Sequence, residues 1–375
     1  MRILVTTPYF HPHPGGSQRY IEELYQELLK ISPESSVDVL TYNTEHVKFH
    51  ESYHGIDVYR VPCWEVLRGQ FTIPHPLALI KTLRFLKKKR NGYDVLNAHT
   101  RFFDTAWWGP LASKYLSAKS VLTDHCAAHP VHPSFIVSSL TALLDKIVIP
   151  VLTRTFDAVT VVSDATGKFL ESQGGKSNYT VIYGGIWLRD KKLTKKTNNQ
   201  LVIGFLGRMI PSKGAQRLLT LAQKMNTQEK DIIFKFAGDG PILEELKHSQ
   251  SKNTQFLGKL NRPQVNDFLD QVDILVHPST HHEGFPSVLL EAGAHGCAVV
   301  ATPQGGTTEL IIDHETGLIC SADENDIQSK VIELIENKGL RETLGKKLQQ
   351  KVDKEFQWQD IAKKYKNFLE LVINS

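Results

Sequence analysis

Short runs rich in β-branched residues alternate with helical patterns along almost the whole chain, and that alternation limits the fold more than any other feature. RILVTT is followed by the amphipathic IEELYQELLKI. Then come VDVLTY, DVYRVP, DVLNAH, SVLTDH, AVTVVS and TVIYGG, with WWGPLASKYL and ATGKFLESQ as helical patterns between them. Strands joined by helices at this pitch are βαβ units, which build a parallel sheet covered on both faces. The pattern stops at WLRDKKLTKKTNNQ, a polar stretch without periodicity that reads as a linker. It restarts with LVIGFLG, IIFKFAG, TQFLGKL, DILVHPS, AVVATP and GLICSA, and with helices expected to begin near Gly214, Pro241, Arg262, Pro286 and Glu324. The spacing predicts an α/β chain of two doubly wound parallel-sheet domains, at residues 1–186 and 201–355, facing across a crevice, with 187–200 as the linker. The tail FQWQDIAKKYKNFLELV is an amphipathic helix, about 356–375, whose apolar face is expected to pack back on the first domain.

A length of 375 residues suits two domains. The formal charge of +4 is too mild, and the cations too locally clustered, to imply nucleic acid. Cys63, Cys126, Cys297 and Cys320 show no CxxC spacing, which argues for reduced thiols in a cytoplasmic compartment and against a metal cage. Met1 leads directly into RILVTTPYF, without the charged and apolar regions of a secretory signal, so a cytoplasmic protein is expected. The longest apolar segment, from Phe135, carries Asp145, Lys146 and Pro150 and reads as a packed helix rather than a membrane span.

In open α/β sheets, ligands bind outside the carboxyl ends of the strands. The loop after LVIGFLG holds Arg208 and Lys213, the latter expected at a helix start, and two cations beside free N–H groups make an anion site suited to a diphosphate. By itself, an arginine and a lysine on a surface loop are common. FAGDGP places Gly238 and Gly240 where backbone can approach a ligand closely, and Gly15 and Gly16 precede a helix in the same manner, although tight turns use glycine without any ligand. HHEGFPSVLLEAGAHG sets Glu283 in the loop after DILVHPS and Glu291 about one turn inside the following helix, with Pro286 expected in its first turn. A carboxylate at a helix N-terminus competes with a bound anion, so Glu283 suits hydroxyls or developing positive charge, and Glu291 suits a pair of ribose hydroxyls.

Together these segments resemble the retaining glycosyltransferases of the GT-B fold, specifically the GT4 family. The matching stretches are PGG, GRMIPSKG, AGDGP, EGFPSVLLEAGAHGCAVVAT and PQGGTTELI, in the family's order over nearly the whole chain. The resemblance implies two Rossmann-like domains that bind a nucleotide-sugar. Arg208 and Lys213 would bind the donor diphosphate and neutralise it as it leaves, with no metal or other cofactor required. Glu291 would hold the donor ribose, Glu283 would contact the donor sugar near the reacting centre, and Gly15, Gly16, Gly238, Leu260, Ser287 and Val288 would complete the donor site. His125, in LTDHCAAHP, would reach the donor sugar. Asp124, His129 and Gly306 would be candidates for the acceptor or sugar pocket; Gly305, Gly306 and Glu309 would line the sugar pocket, with Gly306 offering its backbone and Glu309 capping a short helix beneath. A UDP-sugar is favoured over a GDP-sugar. Where the family often has an N-G-[IV]-[DN] turn, this chain has Gly184, Gly185, Ile186 and Trp187.

The acceptor is expected on the first domain and is expected to be a glycan or a polyprenyl-linked molecule of the cell envelope. Lys81, Arg84, Lys87, Lys88, Lys89 and Arg90 share a helix with Leu77, Ile80, Leu83 and Leu86, which suits either an anionic membrane face or an ordinary solvated helix. Phe71, Phe102, Phe103, Trp107 and Trp108 are aromatic candidates beside it. Another enzyme on the same architecture, such as a sugar-nucleotide epimerase, and a non-catalytic scaffold are the competing readings. A scaffold predicts damage among Arg208, Lys213, Glu283 and Glu291, and all four are intact.

Overall fold

The computed structural model describes residues 1–66, 71–129, 135–187, 200–225 and 231–375, so the expected linker falls outside the described residues except for Trp187 and Gln200. The chain forms two compact units, Met1–Gly185 with Trp358–Ser375, and Ile186–Gln357.

In the first unit the strands are β1 (Arg2–Thr6), β2 (Ser36–Tyr42), β3 (His50–Tyr53), β4 (Ile56–Val61), β5 (Cys63–Val66), β6 (Phe71–Pro74), β7 (Val95–His99), β8 (Lys119–Asp124), β9 (Ala158–Val161) and β10 (Thr180–Val181). Eight of them form one sheet in the order β10-β9-β8-β7-β1-β2-β4-β3, among the described residues. All pairs are parallel except β3 with β4, and β5 and β6 form a separate antiparallel ladder. The central strands are buried along nearly their whole length, as a sheet covered on both faces requires.

The helices of this unit are α1 (Gly16–Ile31), α2 (Pro76–Arg90), α3 (Asp104–Leu116), α4 (Phe135–Thr155) and α5 (Asp164–Ser172). Helices α2, α3 and α4 share one core with the sheet through Leu83, Leu86, Ala106, Leu116, Leu152 and Phe156. The tail helix, Trp358–Asn374, packs against α1. Tyr25 and Tyr365 share a hydrogen bond of 2.8 Å, and the Trp358 indole N–H donates to Glu23 at 2.9 Å. Helix α4 is packed as expected, burying Ile149 and Leu152, but only along one face. Leu140, Leu143, Leu144, Ile147 and Val151 on its outer face are exposed.

In the second unit the strands are β11 (Leu201–Leu206), β12 (Ile232–Ala237), β13 (Thr254–Gly258), β14 (Ile274–His277), β15 (Ala298–Ala301) and β16 (Leu318–Ile319), all parallel, in the order β13-β12-β11-β14-β15-β16. Its helices are α6 (Ala215–Met225), α7 (Leu243–His248), α8 (Arg262–Leu269), α9 (Ser287–Ala294), α10 (Thr307–Leu310), α11 (Glu324–Glu336) and α12 (Lys338–Glu355); the tail helix is α13. Phe205, Phe234 and Phe236 from the sheet meet Leu218, Ile327 and Leu344 in its core. The strand order turns back between β1 and β7 in the first unit and between β11 and β14 in the second. Loops leaving the carboxyl ends at those switch points are where a doubly wound sheet opens to a ligand.

Candidate active site

The second unit's switch point carries the cations and the acid that the sequence singled out. After β11 the chain runs through Gly207, Arg208 and the buried Met209 into a 3-10 turn, Pro211–Lys213. Lys213 therefore does not begin the α-helix as expected. Gly214 intervenes at φ 80°, a left-handed conformation that ends the turn, and α6 starts at Ala215. The loop is braced from β12. Gly207 N–H donates to Ala237 O, Met209 N–H donates to Asp239 O, and a Cβ at Gly238 would lie 1.8 Å from Gly207 O. Gly238 thus allows the two loops to touch. Arg208 is exposed, with no side-chain hydrogen bond or ion pair among the described residues.

Lys213 reaches Glu283. Its Nζ donates to Glu283 Oε1 at 2.5 Å, and His277 Nε2 lies 2.9 Å from the same oxygen. Burial works to raise the Glu283 pKa, but the hydrogen bond and charge of His277 and then those of Lys213 outweigh it, holding the carboxyl well below the usual range. Glu283 is therefore a carboxylate at any working pH. His277 closes β14 and was missed in the sequence reading. The Glu283 loop is pinned from below by PQGG. Gly306 N–H donates to the carbonyls of Glu283 and Gly284, and a Cβ at Gly305, at φ 55°, would meet Glu283 O at 1.6 Å. That corrects the expectation for Gly306: its N–H supports the loop instead of being offered to a sugar. Glu309 lies inside the four-residue α10, whose N-cap is Gly306 without a side-chain cap.

Pro286 is the N-cap of α9 rather than part of its first turn, with ψ 98°. Ser287 and Val288 are the first two helical residues, where N–H groups have no partner within the helix. Glu291 is half-buried in the second turn of α9. Leu260 lies just beyond β13 and is partly buried.

The first unit has its own cluster at the ends of β7 and β8. His99 Nδ1 and His125 Nε2 are 2.9 Å apart, and Tyr20 meets the His125 ring edge-on at 5.0 Å. Asp124, proposed for an open pocket, is instead completely buried and ion-paired with Arg101, so it cannot meet an acceptor. Arg101 also donates to the carbonyls of Cys126 and Ala128, which fixes the loop that carries His125. Asp145 of α4 stands 3.6 Å from Arg101 and 2.6 Å from His129 Nδ1, so His129 is tethered too. Gly15 is the N-cap of α1, and a Cβ on Gly16 would meet nothing within 4 Å, which leaves open space at that helix start.

Burial pushes the His125 pKa down to about 4 against an upward pull from Asp124, and burial followed by His125 lowers His99. Such groups bind fewer protons folded than unfolded. The contribution of His125 to stability is complete above the unfolded value of about 6.5 and is lost as pH falls through about 4, and His99 acts in the same direction. The melting temperature is expected to drop across that window, and His125→Asn is expected to make the slope shallower; an unchanged slope would remove His125 from the account.

Four of the five aromatic candidates meet. Phe71, Phe102, Phe103 and Trp107 line a cavity of about 380 Å³ together with Val66 and Ile73. Asp104 sits at its edge, its pKa raised by burial against hydrogen bonds from Tyr42 and Trp108. Trp108 turns away and donates to Tyr42 OH at 3.2 Å. On α2, three of the six cations are occupied: Arg90 pairs with Asp38 and Asp57, Lys89 with Asp57, and Lys87 lies over the Tyr115 ring.

Comparison with known proteins decides the family. The profile of Glycosyltransferase Family 4 matches residues 14–189 and that of Glycosyl transferases group 1 matches residues 188–351, so the two together span both units. The chain belongs to the family 4 glycosyltransferases. An uncharacterized glycosyltransferase of Methanocaldococcus jannaschii is 25% identical over 100% of this chain and 99% of its own. The phosphatidylinositol N-acetylglucosaminyltransferase GPI3 subunit of Saccharomyces cerevisiae is 25% identical over 96% of this chain and 81% of its own. Among solved structures, Anabaena HepE in complex with UDP superposes with a TM-score of 0.77 at 20% identity, covering 99% of this chain and 100% of that one. The fold of this glycosyltransferase is accordingly GT-B.

Proposed function

We propose that this family 4 glycosyltransferase moves a sugar, with retention, from a nucleoside diphosphate sugar to a hydroxyl of a glycan or lipid-linked acceptor in envelope polysaccharide or glycolipid synthesis. The observation that carries the reading is the Lys213–Glu283–His277 cluster at the β11/β14 switch point, with exposed Arg208 on the same loop as Lys213. Arg208 and Lys213 supply the positive charge that a divalent cation supplies in other transferases, so transfer proceeds without a metal. The first helical N–H groups at Ser287 and Val288 favour phosphate oxygens, and Glu291 favours ribose hydroxyls. In the transfer itself, the acceptor oxygen bonds to the anomeric carbon on the face from which the diphosphate departs. The sugar–phosphate bond breaks, and the acceptor proton passes to the departing phosphate oxygen. Lys213 meanwhile stabilises the charge that accumulates on that phosphate. Glu283, ionised, stabilises positive charge on the sugar ring. On the first unit, neutral His125 can exchange a hydrogen bond with a sugar hydroxyl, and the aromatic cavity suits an acceptor with an apolar portion. An epimerase needs no such cavity. UDP is the favoured nucleotide, consistent with the UDP held by HepE, and a lipid acceptor is consistent with the activity in the yeast relative's name.

A thermal-shift panel of UDP, GDP, ADP and CDP, with and without magnesium, tests the donor site. UDP at about a hundred times its dissociation constant is expected to stabilise the protein by about 2.7 kcal/mol without metal, and Arg208→Ala to abolish that gain. If no diphosphate raises the melting temperature under either condition, the non-catalytic scaffold replaces this reading.

A further inference from the structure

Helices α2, α3 and α4 cover one face of the first unit's sheet, and their outward surfaces share an unusual composition. On α4, Leu140, Leu143, Leu144, Ile147 and Val151 recur at the spacing of a single helical face, and all are exposed, Ile147 to 63%. On α3, Trp107, Leu111 and Tyr115 form a second stripe at intervals of four, with Leu111 71% exposed. On α2, Leu77 is 74% exposed and Ile80 follows one turn later. Single exposed apolar residues are ordinary, but three stripes on helices that share one core are not.

The charges on these surfaces are all of one sign. Lys81, Arg84 and Lys88 on α2, Lys114 on α3, and Lys146 and Arg154 on α4 are exposed. Among the described residues of the three helices, the only acids are Asp104, half-buried at the aromatic cavity, and Asp145, buried against Arg101 and His129. A water-facing layer would carry both signs interspersed, and a protein partner would be met by pairs of both signs. An apolar surface studded with cations alone is complementary to a sheet of anionic headgroups over hydrocarbon. Among the described residues no helix is long and apolar enough to cross a membrane, so such a surface lies on a bilayer and does not span it. Trp107 belongs both to the α3 stripe and to the aromatic cavity, which places the mouth of that cavity beside this face.

We infer that the α2–α3–α4 face is a docking surface for an anionic phospholipid bilayer. The inference deepens the reading of a lipid-linked acceptor and rests on it for its purpose, because docking here brings the aromatic cavity to the level where such an acceptor is anchored. Binding itself is measured apart from transfer.

The test is flotation of the full chain with vesicles of phosphatidylcholine alone or mixed with phosphatidylglycerol, at low and high salt. Binding is expected to be at least tenfold stronger to the mixed vesicles and to weaken with salt, since each cation near an anionic leaflet contributes roughly fivefold. Arg84→Glu with Lys146→Glu is expected to reduce it at least tenfold, and Leu143→Ser with Ile147→Ser to reduce it comparably. All four positions are exposed, so the melting temperature and its rise with UDP are expected to be unchanged in both variants. Those two readouts separate loss of docking from loss of folding or of the donor site. Binding that is absent, indifferent to phosphatidylglycerol or insensitive to these substitutions would overturn the inference. A dimer in size-exclusion chromatography that Leu143→Ser with Ile147→Ser dissolves would overturn it too, and would assign the face to a second copy of the chain.

Discussion

Arg101→Met is expected to destabilise the protein by about 3–5 kcal/mol, read as a shift in the urea midpoint of unfolding. The size follows from what the guanidinium leaves behind. Asp124 is fully buried, with only the backbone N–H groups of Arg101 and His125 as further donors among the described residues, and it would lose the cation that offsets its desolvation. Asp145, 3.6 Å from the same guanidinium, would keep only His129 of those two partners, and the Cys126 and Ala128 carbonyls would lose their donor. Methionine replaces the volume but none of the charge. The double variant Arg101→Met with Asp124→Leu removes both ends of the principal pair and is expected to recover part of the loss, because an apolar replacement of similar size costs less than one unpaired buried charge. If Arg101→Met alone costs less than about 1 kcal/mol, the ion pair is not what holds the 124–129 loop.

The strands were legible because a sheet covered on both faces needs continuous apolar runs, and runs such as LVIGFLG and DILVHPS have no other easy reading. The loops at the second unit's switch point were legible for a different reason: glycine is forced wherever one backbone lies against another, and Gly238 against Gly207 and Gly305 against Glu283 are such contacts. Strand order was not legible, since alternation of strand and helix does not say that β7 lies beside β1 and β14 beside β11. Nor were the four-residue strands β3, β5 and β6, which are too short to establish a period. Arg101 was hidden because its partner Asp124 lies 23 positions away, and His277, although only six positions from Glu283, was hidden because a histidine ending a buried strand looks like any packed residue. The outer face of α4 was hidden by its own composition. Apolar residues surround that helix on nearly every side, so periodicity could not separate the face that packs from the face that does not.

Lys213→Ala is expected to lower kcat by about 10²–10³, the usual effect of removing one group aimed at charge that develops in a transition state. In the ligand-free protein that group is held by Glu283, 2.5 Å away, so the carboxylate orients the ammonium while His277 holds the carboxylate. A donor diphosphate would then share Lys213 with Glu283. Glu283→Gln keeps the shape of the side chain but removes its charge, which frees Lys213 and, on the proposed reading, takes away the negative charge that would face the sugar; a similar fall in kcat is expected. Because the two residues act as a unit, the double variant is expected to fall well short of the product of the single effects. Full multiplicativity would mean that the pair is not coupled in transfer. The pH profile provides an independent check. With its pKa held far below the usual carboxylate range, Glu283 stays ionised throughout the accessible range, so kcat is expected to show no ascending limb from this residue as pH rises from mildly acidic to neutral. An ascending limb present in the wild type and absent in Glu283→Gln would show instead that Glu283 takes up and releases a proton during the reaction, and the front-face scheme, in which the departing phosphate accepts it, would have to be given up.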